Sequence, residues 1–200
     1  MVAGAPLAYA LCRPSGQHDH HDRASGFCYV NNNALAAQTL AAHFGRVAVL
    51  DVDAHHGDGT QNIFYDRGDV LTISTHADTS AYFPFYTGYA DERGVGAGTG
   101  CNLNLPLAHG CTTQGFVPAL QASVQAIADY APRAVVLAIG FDTYEHDPIS
   151  VLRFDFEAYR LVGQRLRALG LPIVVVQEGG YMVESLQPGL TALLEGLGAA

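Results

Sequence analysis

The sequence predicts an α/β protein built on a parallel sheet, and three observations carry that prediction. Short β-branched apolar runs alternate with longer Ala- and Leu-rich segments. Runs such as Ala134-Val135-Val136-Leu137-Ala138-Ile139 are apolar at every position, as strands covered on both faces are. Polar residues gather directly after these runs, where ligands of open α/β sheets bind. At 200 residues the chain can bury a substantial core, and without linker or internal repeat it reads as one domain, 1–200.

The first strand is expected over 6–12 and ends in the turn residues Arg13-Pro14-Ser15-Gly16. A polar loop, Gln17-His18-Asp19-His20-His21-Asp22-Arg23, leads through Gly26-Phe27-Cys28-Tyr29 to a helix capped near Asn31 to Asn33 and running to about 43. A buried strand follows over 46–51. Asp58 and Gln61 then read as the N-cap and third position of a capping box opening a helix over 59–66. Further strands are expected over 70–74, 102–107, 134–139 and 171–177, with helices over 113–130, 154–169 and 186–197. Residues 77–104 form a long loop rich in Gly, Tyr and Phe; a loop of that length inside a compact domain usually has a function.

The chain is organised around Val49-Leu50-Asp51-Val52-Asp53-Ala54-His55-His56-Gly57-Asp58-Gly59. An extended chain sends alternate side chains to opposite sides, so Asp51, Asp53 and His55 share one side. Buried acids at a strand end are costly unless paired or bound to a cation. Asp53 and His55 suit a divalent metal with one oxygen and one nitrogen ligand, with Asp51 placed behind them. The plainer alternative is a solvated loop with a helix cap. Three other strands also end in chemistry, at Gln17-His18, at Gly140-Phe141-Asp142 and at Glu178-Gly179-Gly180-Tyr181. Alone, Asp142 would be a turn residue and Tyr181 a rim aromatic; on one rim of a parallel sheet they can converge.

Composition excludes several classes. Charge is −9 with only 10 Lys+Arg, which argues against direct nucleic-acid binding. No apolar run reaches the length of a membrane span, and the N-terminus lacks a basic leader, so a cytoplasmic location is the default. Cys12, Cys28, Cys101 and Cys111 form no CxxC pair; Cys12 and Cys28 read as reduced core residues.

At this point the sequence resembles the zinc-dependent histone deacetylase and acetylpolyamine amidohydrolase superfamily. The resemblance rests on Arg13-Pro14-Ser15-Gly16-Gln17-His18, Gly26-Phe27-Cys28-Tyr29, residues 51–59, Gly140-Phe141-Asp142 with Asp147-Pro148, and Glu178-Gly179-Gly180-Tyr181. Arg13-Pro14 and Tyr89-Ala90-Asp91-Glu92 lean toward the acetylpolyamine and bacterial amidohydrolase-like members. It implies an arginase/deacetylase-like three-layer fold and removal of an acetyl or acyl group from an acetylated amine, such as an acetylpolyamine or acetyl-lysine. Carried over by position, Asp53, His55 and Asp142 bind Zn2+ (Fe2+ or Co2+ also suit such a set). His18 is the general base and then acid, and Tyr181 donates to the substrate carbonyl. Asp51 and Asp58 orient histidines. Gly26 and Phe27, with Phe85 or Tyr86, line the substrate tunnel. Asp51, Asp53, His55 and Ser74 match a structural K+ site. Related binuclear enzymes carry a second carboxylate after the strand that precedes Asp142; Thr143 and Tyr144 stand here, so one metal is expected.

Two departures accompany the resemblance. Gln17 replaces the first of the family's tandem histidines; glutamine can hydrogen-bond to an attacking water but cannot carry positive charge. His20 and His21 stand nearby and read as solvated. Only 12 residues precede Arg13, so the chain reads as lacking the family's N-terminal region, with an open sheet edge that would allow oligomers to form. These departures motivate an alternative: an inactive deacetylase-like fragment that binds metal or acyl-amine ligand without turnover. Asp91, Glu92, Glu145 and Asp147 could meet a cationic tail, though acids in loops are usually solvated.

Overall fold

The computed structural model describes residues 3–199. Six strands form one parallel sheet: β1 (Leu7–Ala10), β2 (Val47–Val52), β3 (Val70–Ala77), β4 (Asn102–Leu107), β5 (Ala134–Ile139) and β6 (Ile173–Gln177). Their spatial order is β1-β6-β5-β2-β3-β4. Five helices pack on it: α1 (Asn32–Phe44), α2 (Asp58–Phe64), α3 (Thr113–Tyr130), α4 (Phe156–Arg167) and α5 (Val183–Leu197).

Every residue of β2, β3 and β5 is buried, because both faces of the sheet are covered. Alternation along β2 divides the core. Val47 and Val49 join Ala37 and Leu40 of α1 on one face. Ala48, Leu50 and Val52 face Phe116 and Leu120 of α3 and Val162 of α4 on the other. The result is the three-layer arginase/deacetylase-like architecture. Strand order reverses between β2 and β5, which pair directly with Val52 opposite Ile139. A crevice opens at such a switch point, and the residues just beyond both strands are the ones that can meet in it.

Several element ends differ from expectation. β1 is shorter, because Arg13-Pro14-Ser15-Gly16 is preceded by a turn at Cys12, whose N–H donates to Ala10 O. β3 runs on to Ala77, since β4 continues beside it to Leu107. α4 starts at Phe156, capped by Asp155, whose side chain accepts from Glu157 N–H. α5 begins three residues earlier than expected, at Val183. The capping box at Asp58 does not form: α2 starts at Asp58 itself, after Gly57, with no side-chain cap. Both side chains are drawn elsewhere. Asp58 turns to the histidine loop. Gln61 reaches Thr87, Glu92, Asn102 and Asn104. All four cysteines are free thiols. Among the described residues no helix is long and apolar enough to cross a membrane.

Candidate active site

Asp53 and His55 follow β2, and Asp142 follows β5, so the switch point brings them together. One ligand atom from each lies within 4.8 Å of the others, and all three residues are buried. Their orientations are fixed by backbone donors. His55 N–H donates to Asp53 Oδ1 at 2.7 Å, Gly179 N–H to Asp53 Oδ2 at 3.3 Å, and Ala54 N–H to Asp142 Oδ1 at 3.0 Å. His55 Nδ1 lies 3.2 Å from Asp53 Oδ1 and 3.0 Å from Asp142 Oδ2. Gly140 permits this closeness, because a Cβ there would overlap the Asp53 carboxylate and press on Asp142.

The electrostatics suit a bound cation. Burial pulls the His55 imidazole down, but hydrogen bonds to Asp142 and Asp53 outweigh it and push its pKa up to about 10. Burial and then the charge of Asp53 raise the Asp142 carboxyl. Burial opposes ionisation of Asp53 as well, yet its contacts with His55 hold it low. Two carboxylates thus gather a proton on the imidazole between them. A divalent ion can take the place of that proton, and an Asp-His-Asp donor set suits Zn2+, Fe2+ or Co2+.

Tyr82, which the sequence reading did not single out, stacks on His55 with ring centroids 4.7 Å apart and donates to Ile149 O. It fixes the plane of the imidazole. Burial, reinforced by Asp142, raises its phenol, so it stays neutral.

His18 sits across the site, its ring centroid 6.0 Å from that of His55. Its Nδ1 is 2.6 Å from Asp58 Oδ1. Burial would raise Asp58, but His18 and then His20 outweigh it and keep the carboxylate ionised. His18 therefore donates through Nδ1, which leaves the Nε2 lone pair for the pocket. Gly26 lies against the His18 ring, where any Cβ would overlap it, and adopts φ +51. Gln17 is 2% exposed, its Nε2 is 3.5 Å from His18 Nε2, and its Oε1 has no partner. Asp51 lies alongside: a Cβ at Gly57 would meet both the Asp51 carboxylate and Gln17 Cβ. Neither Asp51 oxygen has a hydrogen-bond partner. The position that would orient a histidine thus faces a glutamine that does not bond to it.

His18, Gly26, Phe27, His55, Phe83, Ile149 and Tyr181 line a pocket of about 350 Å³. Phe83 forms its wall, edge-on to His18 at 5.0 Å between centroids. Of the aromatic residues expected to line it, Phe27 does. Phe85 packs against Phe83 from outside the lining, and Tyr86 is 90% exposed. Tyr181 is 40% exposed; partial burial, then the charge of Asp142, raises its phenol, which keeps it a donor.

The acids considered for a cationic tail include two that brace the walls instead. Asp147 Oδ2 accepts from the N–H groups of Tyr181 at 2.7 Å and Met182 at 3.0 Å. Glu92 Oε2 accepts from Gln61, Thr87, Gly88 N–H and Asn104, anchoring the aromatic loop. Behind it, His76 donates to Gly88 O and accepts from Ser74, and Ser74 accepts from His56. Burial pushes the His76 pKa down to about 4 and holds His56 well below the usual imidazole range, so both are neutral links.

Glu178 gathers three elements. It accepts from Gly16 N–H at 2.8 Å, Gln17 N–H at 3.1 Å and Asn33 Nδ2 at 2.8 Å. Burial pushes its pKa up to about 7 from 4.5, Gly16 opposing and Asp53 adding. Between those values the folded state binds the extra proton, so stability contributed by Glu178 is present below pH 4.5 and lost as pH rises to about 7. The loss should be on the order of 3 kcal/mol in metal-free protein. Glu178→Gln should remove it. Asn33 Oδ1 has no partner, so its amide can flip to accept from the new glutamine. Denaturant unfolding in chelator from pH 4.5 to 7 tests this; equal pH slopes in the two proteins would refute it.

Fold and site together define a parallel α/β protein with a buried Asp-His-Asp cluster able to hold a metal ion at its switch point and an imidazole–carboxylate pair facing it. The histone deacetylase domain family model matches residues 1–197, and the chain belongs to that family. It is 48% identical over 196 residues to an acetylpolyamine amidohydrolase of Burkholderia pseudomallei, covering 98% of this chain and 58% of that protein. It is 49% identical over 197 residues to acetylpolyamine amidohydrolase 1 of Pseudomonas aeruginosa, covering 98% and 57%. The crystal structure of the acetylpolyamine aminohydrolase from Burkholderia pseudomallei superposes with a TM-score of 0.97 at 47% identity, covering 99% of this chain and 58% of that one. The chain thus spans somewhat over half the length of these relatives.

Proposed function

We propose that this chain carries the metal-dependent amide hydrolysis of its family, releasing acetate from an acetylated amine. The observation that carries the reading is the convergence of Asp53, His55 and Asp142 in the pocket that His18 and Tyr181 also line. When bound there, a divalent ion supplies a Lewis acid that acidifies water and polarises an amide carbonyl. His18, with Nδ1–H held by Asp58, takes a proton at Nε2 and returns it to the leaving amine. The Tyr181 hydroxyl donates where oxyanion charge develops. Phe27 and Phe83 exclude water from an acyl-amine chain. Acetylpolyamine is the favoured substrate, since relatives at 48% and 49% identity carry that name; acetyl-lysine peptide is the comparison. A K+ ion at Asp51, Asp53, His55 and Ser74 belongs to the same proposal. It is supported by the two unpartnered oxygens of Asp51 beside a void of about 10 Å³ that Ser74 also lines.

The test is acetate release from N-acetylputrescine and from an acetyl-lysine peptide by zinc-loaded protein. Turnover is expected, fastest on the acetylpolyamine, and Tyr181→Phe should lower kcat by ~10²-fold, as loss of one oxyanion donor does. A folded, zinc-loaded protein that releases no acetate from either would overturn the reading. A second reading, ligand binding without turnover, is favoured by Gln17 and the unpartnered Asp51. It predicts calorimetric binding of the same amines with no acetate released.

A further inference from the structure

His20 is not solvated. Its side chain is 10% exposed, and its Nε2 lies 2.9 Å from Asp58 Oδ2. Asp58 is itself 4% exposed, and its other oxygen holds His18 Nδ1 at 2.6 Å. One buried carboxylate is therefore shared, oxygen by oxygen, between two imidazoles. Arg23 Nη2 is 3.1 Å from the same His20 nitrogen. That nitrogen cannot donate to one group and accept from the other. Donation to the ionised carboxylate is the charge-assisted bond and prevails, so the Arg23 guanidinium lies beside the ring as a neighbouring cation. The ring is held from its backbone side too, since His20 N–H donates to Arg23 O at 2.9 Å.

We propose that His20 is a positioning residue for His18, acting through Asp58. The Asp χ2 torsion is broad, so a carboxylate held at one oxygen can swing about its Cβ–Cγ bond. A second donor on the other oxygen fixes the carboxylate plane, and with it the line from Oδ1 to His18 Nδ1. Asp58 lacks any cap contact within α2 that could do this instead. With the plane fixed, the His18 proton stays on Nδ1 and the lone pair stays on Nε2. With it loose, the Nε2–H tautomer becomes populated, and that form cannot take a proton from the pocket.

The catalytic consequence rests on the function proposed above, so the test has one arm that needs no turnover. Long-range 15N–1H spectra of the histidine rings report the His18 tautomer in the zinc-loaded protein. Wild type should show His18 as the Nδ1–H form. His20→Ala and His20→Phe remove the donor, without and with the bulk of a ring, and both should show a mixture of tautomers. Both should lower kcat about tenfold with KM within twofold, as loss of one charge-assisted hydrogen bond would. His20→Gln places an amide N–H near the position of the imidazole Nε2–H and should restore the single tautomer and most of the rate. If His20→Ala does not fold, His20→Phe against His20→Gln decides. An unchanged His18 tautomer in the donor-free variants, even with a lowered melting temperature, overturns the proposal. If wild type releases no acetate, the function reading fails while the tautomer arm still decides the role of His20.

Discussion

Asp53→Ala combined with Asp142→Ala is expected to abolish divalent-metal binding. The three ligand atoms come from the ends of two adjacent strands, and among the described residues no other group of His, Cys, Asp and Glu converges in this way. Removing both carboxylates leaves His55 alone, and a lone imidazole cannot hold a divalent ion against solvent at micromolar concentration. Metal analysis of the folded wild type should give about one ion per chain. Binding to the native state alone stabilises it by about 2.7 kcal/mol at a hundredfold excess over Kd. For a domain of this size that raises the melting temperature by roughly 5–10 °C. The double variant should show neither the ion nor the shift. Its metal-free form should still fold, because two buried acids that repel each other have gone and the strands beneath them are untouched. Two ions per chain in wild type, or full binding retained in the double variant, would contradict the assignment.

The sheet was legible because its central strands obey a simple physical rule. With both faces covered, β5 is apolar at every position and β2 is apolar up to Leu50; the appearance of Asp51 next to the end of β2 and of Asp142 just beyond β5 marks the carboxyl rim of the sheet. Meeting of the strand-end acids followed from parallel topology alone. What stayed hidden depends on long-range geometry. Asp58 and Gln61 satisfy the local rule for a capping box, yet each finds partners 26 to 43 positions away. Local spacing cannot weigh those bonds. His20 carries the same polar signature as His21, which is exposed and bonded only to Asn62 and Asp22. Only the fold distinguishes the imidazole that reaches Asp58. Tyr82 and Phe83 lay unmarked in an aromatic loop where any of five rings could have faced the pocket, and only the folded loop shows that Phe83 lines it while Tyr82 stacks on His55. Glu178 stood in a recognised motif, but its bonds to Gly16 and Gln17 cross 162 and 161 positions.

His18→Ala is expected to lower kcat by ~10²–10⁴-fold on an acetylated amine, the usual loss when a general base is removed. Gln17→Ala should cost far less, on the order of one hydrogen bond, ~0.5–1.5 kcal/mol. The difference follows from what each side chain holds. His18 has an ionised carboxylate behind Nδ1 and a lone pair on Nε2 toward the pocket, with the Gln17 amide nitrogen 3.5 Å away. Gln17 has no carboxylate behind it and no ionisable proton; its Oε1 is unpartnered. Gln17→His is the informative gain-of-function variant. Asp51 and Gln17 both border Gly57, so an imidazole at position 17 comes within reach of a buried carboxylate whose two oxygens lack partners. It would satisfy that carboxylate and place a second group able to become cationic beside the developing oxyanion. Activity should rise by up to about tenfold, the equivalent of one good hydrogen bond. The pH–rate profile should gain an ionisation near neutrality, because histidine is the side chain that titrates there. Profiles of wild type and the three variants on one substrate decide the matter. Retained activity in His18→Ala, with loss in His21→Ala, would show that the base lies further along the loop. Equal rates for Gln17→His and wild type would show that Asp51 gains nothing from a histidine partner, and that the glutamine already does what the reaction requires at that position.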